Sequence, residues 1–73
     1  MKIGFLGFGN MAQAMAGGLV RSGAVQPGDI GACARDRAKL WSNTEPQGFR
    51  AFDDAAAVAE FADLVVVAVK PYQ

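Results

Sequence analysis

The stretch Ile3-Gly4-Phe5-Leu6-Gly7-Phe8-Gly9-Asn10-Met11-Ala12 decides the fold. β-Branched and aromatic residues meet glycine at once, which predicts a short first strand over residues 2–6 ending in a tight turn. From Asn10 to Arg21 the pattern changes. Met11, Met15 and Leu19 recur at i, i+4 and i+8, with Ala12, Ala16 and Val20 beside them, as in a helix with a broad buried face. Gln13 and Arg21 fall on its wet side. Between strand and helix, Gly7, Gly9 and Ala12 make a G-x-G-x-x-A arrangement. Gly7 permits the turn, Gly9 lets the main chain approach a diphosphate, and Ala12 keeps the helix close to the sheet. A diphosphate needs N–H groups aimed at it, a helix N-terminus to favour its charge, and no side chains in the way. The triplet is weak evidence by itself in a chain with nine glycines; its place after a strand and before a helix gives it weight.

Further along, Gly23 supplies a helix stop and Gln26-Pro27-Gly28-Asp29 is turn chemistry. A second strand is expected over residues 30–34. A short helix over residues 36–42 should carry Leu40 and Trp41 inward, with Pro46 and Gly48 preventing its continuation. A brief third strand over residues 49–52 precedes a helix over residues 55–61, capped by Asp53 or Asp54, with Val58, Phe61 and Ala62 packing. Asp63 ends that helix, and residues 64–69 read as an almost wholly apolar fourth strand, stopped by Lys70-Pro71.

Strand and helix alternate three times, which calls for right-handed crossovers and a parallel α/β sheet. The expected architecture is Rossmann-like, about four strands ordered 3-2-1-4 with helices on both faces. In that order the most apolar strand lies on an open edge, which natural proteins avoid. The sheet therefore reads as incomplete, the chain being a fragment or depending on another chain to cover that edge.

Composition narrows the function classes. Seventy-three residues suffice for one small domain, since independent units mostly run to roughly 100–150, and so short a fold is marginal by itself. Seven Lys and Arg balance seven Asp and Glu, leaving no basic surplus for nucleic acid or an anionic membrane. The longest apolar run, residues 64–69, has six residues, far short of the roughly 20 that span a bilayer. The N-terminal apolar stretch is too short and glycine-broken for a signal peptide, so a cytoplasmic location is the default. Cys33 has no disulfide partner and there is no His, which leaves no Cys/His cluster for a structural metal. Cys33 reads as a small buried apolar residue.

The choice between nicotinamide cofactors depends on the end of the second strand, some 20 residues beyond the glycines, where an acidic side chain would bind a ribose 2′-hydroxyl. Here that place holds Ala34, followed by Arg35-Asp36-Arg37. Two guanidinium groups beside the ribose suit a 2′-phosphate, which favours NADPH. Alternatively Asp36 turns back to the ribose and selects NADH, or the arginines are ordinary solvated charges. A second expected site is Ala68-Val69-Lys70-Pro71, at the carboxyl end of the fourth strand, where open α/β sheets bind ligands. No catalytic acid, base or nucleophile stands out; Asp53, Asp54 and Glu60 read as helix-end charges, and hydride transfer is the cofactor's own chemistry.

Residues 3–12, then Gly17-Gly18-Leu19, Ser22-Gly23 and the closing Ala68-Val69-Lys70-Pro71, resemble the start of the pyrroline-5-carboxylate reductases. The likeness spans nearly the whole chain. It implies an enzyme that reduces 1-pyrroline-5-carboxylate to proline with NADPH or NADH, the last step of proline biosynthesis. It further implies cofactor contacts from Leu6, Gly7, Phe8, Gly9, Asn10 and Met11, from Ala34, and from Ala68, Val69, Lys70 and Pro71. Members often carry Ser, Thr or Asn where Ala34 stands, so Arg35 must serve instead, and an Asn that commonly opens the helix after the third strand appears as Asp54. On this likeness residues 1–73 are the N-terminal part of a dinucleotide-binding domain. The small-molecule substrate site and a helical domain that makes homo-oligomers lie beyond Gln73, and the segment alone is expected to be inactive. A deazaflavin-dependent NADP oxidoreductase has a similar glycine turn, and a non-catalytic nucleotide-binding module fits the short length.

Overall fold

The computed structural model describes residues 1–68. Four parallel strands, β1 (Ile3–Leu6), β2 (Ile30–Cys33), β3 (Arg50–Ala51) and β4 (Leu64–Val67), form one sheet ordered β3-β2-β1-β4. This is the 3-2-1-4 order expected from the alternation of elements. Parallel neighbours need crossovers, and α1 (Asn10–Arg21), α2 (Arg37–Thr44) and α3 (Ala55–Phe61) supply them. Ile3 stands beside Ile30 and Leu64, and Leu6 beside Cys33 and Val67, so three strands end level at one rim.

Side chains alternate between the two faces of a strand, and the two faces are built differently. On one face, Ile3, Phe5, Ile30 and Ala32 join Ala12 and Ala16 of α1 and Leu40 of α2 in a single buried cluster. On the other, Gly4 and Gly31 present no side chain and α3 comes down onto the bare main chain. A Cβ on Gly4 would run into Val58 Cγ1 and lie 2.9 Å from the Ala62 Cβ; one on Gly31 would lie 2.6 Å from Phe52 Cε2 and 2.8 Å from Phe61 Cε2. Val58 is fully buried in that contact.

Two expected inward faces are corrected. In α1 the buried positions are Ala12 and Ala16, while Met11 is 76% and Met15 42% exposed. A helix lying close on a strand pair accommodates methyl groups at the line of contact, so the long methionines are turned onto the flank, with Leu19 and Val20 half-buried against the core. In α2, Leu40 is buried but Trp41 is 60% exposed. The helix continues to Thr44, four residues on from Leu40 and therefore on the same face. Thr44 is buried, its hydroxyl donating to the Leu40 carbonyl at 2.7 Å.

The ends of the elements follow local chemistry. α1 stops in a Schellman arrangement: Gly23 has φ 81°, its N–H donates to Val20 O, and Ala24 N–H donates to Leu19 O. The Asp63 carboxylate accepts from Lys2 N–H at 2.9 Å while Asp63 N–H donates to Lys2 O at 2.7 Å, which fastens the start of β4 to the start of β1. β4 occupies the sheet edge, with Leu64, Val65 and Val67 exposed and no strand on its outer side among the described residues. No helix of the described residues is long and apolar enough to cross a membrane.

Candidate dinucleotide site at the carboxyl rim of the sheet

Residues 7–9 form the link between the end of β1 and the start of α1. Gly7 has φ 96°, a conformation that side chains disfavour. Its N–H donates to Cys33 O at 2.8 Å, and Ala68 N–H donates to Leu6 O at 2.8 Å. Leu6, Gly7, Cys33 and Ala68 are thus tied together at the rim. The Phe8 side chain turns inward, edge-on to the rings of Phe5 and Phe49 at centroid distances of 5.8 and 5.9 Å, and is buried. It anchors the turn from below and leaves only its main chain near the rim.

Gly9 is the N-cap of α1, with φ −78° and ψ −167°. A Cβ there would meet nothing within 4 Å, so the space above it is open. The first N–H groups of a helix have no partner within the helix. In α1 no side chain caps them and no acidic residue stands in the first turn. Gly9, Asn10 and Met11 are exposed. Gln13 reaches back to donate from Nε2 to Phe8 O at 3.1 Å, bracing the turn. The other helices begin differently: Asp36 Oδ1 accepts from Lys39 N–H at 3.1 Å and Asp54 Oδ1 from Ala57 N–H at 2.9 Å. Asp54, not Asp53, is the cap of α3.

At the end of β2, Ala34 is half-buried against the core and Arg35 is exposed, with no side-chain partner among the described residues. Arg37 is engaged elsewhere. Its Nη1 lies 3.2 Å from Asp53 Oδ1 and its Nη2 donates to Asp53 O at 3.3 Å. This contact had no signal in the sequence, because it joins residues 16 apart that only the β2-α2-β3 crossover brings together. Cys33 is half-buried rather than buried. Burial pushes its thiol above the ordinary value, and the Asp54 carboxylate adds to the rise, while the Gly7 main chain partly offsets both. Clefts of about 230 and 220 Å³ lie between α1 and α2 and beside Trp41 and Phe52, and neither is lined by residues 6–12. Of the expected rim loop, Ala68 stands next to Leu6; Val69, Lys70 and Pro71 lie outside the described residues.

The chain matches, over residues 2–73, the family described as NADP oxidoreductase coenzyme F420-dependent. It is 43% identical over 70 residues to the pyrroline-5-carboxylate reductase of Escherichia coli (strain K12), covering 96% of this chain and 26% of that protein. With the pyrroline-5-carboxylate reductase of Treponema pallidum (strain Nichols) the identity is 38% over 73 residues, covering all of this chain and 28% of that one. The solved structure of a pyrroline-5-carboxylate reductase from Coxiella burnetii superposes with a TM-score of 0.85 at 39% identity, over 99% of this chain and 26% of that chain. The chain therefore spans about a quarter of the length of these relatives.

Proposed function

The chain belongs to the family of NADP oxidoreductases, coenzyme F420-dependent, and from that premise we propose that it is the cofactor-binding part of a pyrroline-5-carboxylate reductase, reducing 1-pyrroline-5-carboxylate to proline with NADPH. The observation that carries the reading is the start of α1: a twelve-residue helix, entered from a central strand through Gly7, with an uncapped first turn and open space at Gly9. A diphosphate fits there. It would accept from the first-turn N–H groups and sit in the positive end of the helix dipole, and no side chain of the turn obstructs it. Identity to pyrroline-5-carboxylate reductases of 38–43% across the chain supports the substrate class.

In this reading Gly9, Asn10 and Met11 hold the diphosphate through their main chain, Ala34 lies beside the ribose, and Arg35 supplies the charge that favours a 2′-phosphate. Leu6, Gly7 and Phe8 fix the turn with Ala68 beside it, and Val69, Lys70 and Pro71 are cofactor-binding residues by the resemblance of their sequence. The nicotinamide supplies the hydride; this chain binds and orients its carrier. The substrate site and the contacts that make a homo-oligomer belong to the part of the reductase beyond residue 73, and the location is cytoplasmic.

The test is pyrroline-5-carboxylate-dependent oxidation of NADPH by the product of the complete reading frame, with nucleotide affinity measured by calorimetry. Arg35→Ala should raise KM for NADPH and leave that for NADH nearly unchanged. Equal effects on both cofactors would remove the 2′-phosphate role, and absence of turnover with tight nucleotide binding would leave a binding module instead of a reductase.

A further inference from the structure

We infer that Asp53 sets the balance between NADPH and NADH by holding Arg37 away from the ribose, an inference that rests on the dinucleotide reading above. Arg35 and Arg37 follow the same strand end, yet the fold treats them differently. Arg35 has no partner among the described residues, whereas Arg37 is gripped by the Asp53 carboxylate at 3.2 Å and by the Asp53 carbonyl at 3.3 Å. The two contacts use both terminal nitrogens of the guanidinium, the edge with which arginine takes a phosphate in paired hydrogen bonds. Asp53 is placed for this by the end of β3, since Phe52 N–H donates to Ala32 O at 2.8 Å and carries the β3–α3 turn up beside the end of β2.

The pair sits in water, with side chains 69% and 82% exposed, so it is an exchangeable contact and not a fixed strut. A ribose 2′-phosphate arriving at Arg35 meets a second arginine whose charge and donors are already taken by Asp53, which lowers the affinity for the phosphorylated ribose. A ribose with a free 2′-hydroxyl brings no charge for Arg37 to balance. Asp53 is available for this role because the neighbouring Asp54 caps α3, so Asp53 is a specificity-determining residue whose removal leaves the helix start intact.

The experiment uses the intact reductase and calorimetric titration with 2′,5′-ADP, which carries the 2′-phosphate, and with 5′-ADP, which lacks it. Asp53→Asn keeps the shape of the side chain and removes its charge. The expected result is that 2′,5′-ADP binds about two- to fivefold more tightly to Asp53→Asn than to the wild type, with 5′-ADP unchanged. The gain should shrink at high salt and disappear in the double variant Arg37→Ala/Asp53→Asn. An unchanged affinity for 2′,5′-ADP, an equal change for both nucleotides, or a gain that survives in the double variant overturns the role of Asp53 while leaving the dinucleotide site standing. Failure of the wild type to bind either nucleotide overturns the dinucleotide reading and this inference with it.

Discussion

Three helices of this chain start at the same rim of the same sheet, and they start in two ways. α2 and α3 open on aspartates whose carboxylates accept from Lys39 and Ala57 N–H groups, a self-contained solution to the unpaired amides of a first turn. α1 opens on Gly9 and brings no acceptor of its own. An anion from outside would complete the same set of contacts at α1 that a built-in carboxylate completes in its neighbours. Capped and uncapped helix starts are thus separated by one side chain, and exchanging that side chain is the sharpest way to test the role proposed for α1.

The largest effect is expected from Gly9→Asp, which gives α1 the cap its neighbours have. The backbone at Gly9 has φ −78° and a Cβ meets nothing within 4 Å, so the substitution fits without strain. Two like charges about 4 Å apart near a protein surface repel by about 4 kcal/mol. Dinucleotide affinity should therefore fall by more than about a hundredfold, while Tm holds or rises slightly. Retained affinity in calorimetry would erase the difference between the helix starts. Next comes Gly4→Val, a change at a glycine with the opposite surroundings. Its new Cβ would run into Val58 and Ala62, and overpacking of this kind costs about 1–3 kcal/mol. Denaturant unfolding should show that loss, with nucleotide affinity lowered only in proportion to the unfolded fraction.

Asp54→Ala removes a structural cap and should cost about 1 kcal/mol, seen as a fall in Tm of about 4–8 °C, with the diphosphate contacts untouched. The smallest effect concerns Cys33. Its thiol titrates above the ordinary value, so it stays protonated at neutral pH, and alkylation in the native protein should be slower than in the unfolded chain. The sign for stability follows: the raised value contributes stability that is complete below the ordinary thiol value and is lost as pH rises through the folded one. Alkylation as fast as in the unfolded chain would show the thiol to be solvated.

What the sequence revealed and what it hid divide along a physical line. The glycine turn was legible because its requirements are local: positive φ at Gly7 and the absence of side-chain bulk at Gly9 are demands on single residues. Strand order followed from the alternation of elements and the handedness of crossovers. The inward faces of α1 and α2 were misjudged because periodicity identifies an apolar side without saying how close the helix will lie. Close approach selected Ala12 and Ala16 over Met11 and Met15, and the two further residues of α2 brought in Thr44 where Trp41 was expected. Nothing in the sequence marked Gly4 and Gly31 as the floor on which α3 rests. The Arg37–Asp53 pair was out of reach altogether, since nothing in either residue's neighbourhood in sequence names the other.

The hydrogen bond from Gly7 N–H to Cys33 O has a further consequence. It welds the Gly7–Gly9 turn, proposed to hold the diphosphate, to the strand that leads into residues 34–37, proposed to meet the ribose, and it does so with main-chain atoms alone. The link between the two proposed recognition elements therefore uses no side chain of residues 34–37. Substitutions at residues 34–37 can retune what the ribose loop prefers while removing no atom of that link, so such a scaffold can change its choice of nucleotide without being rebuilt.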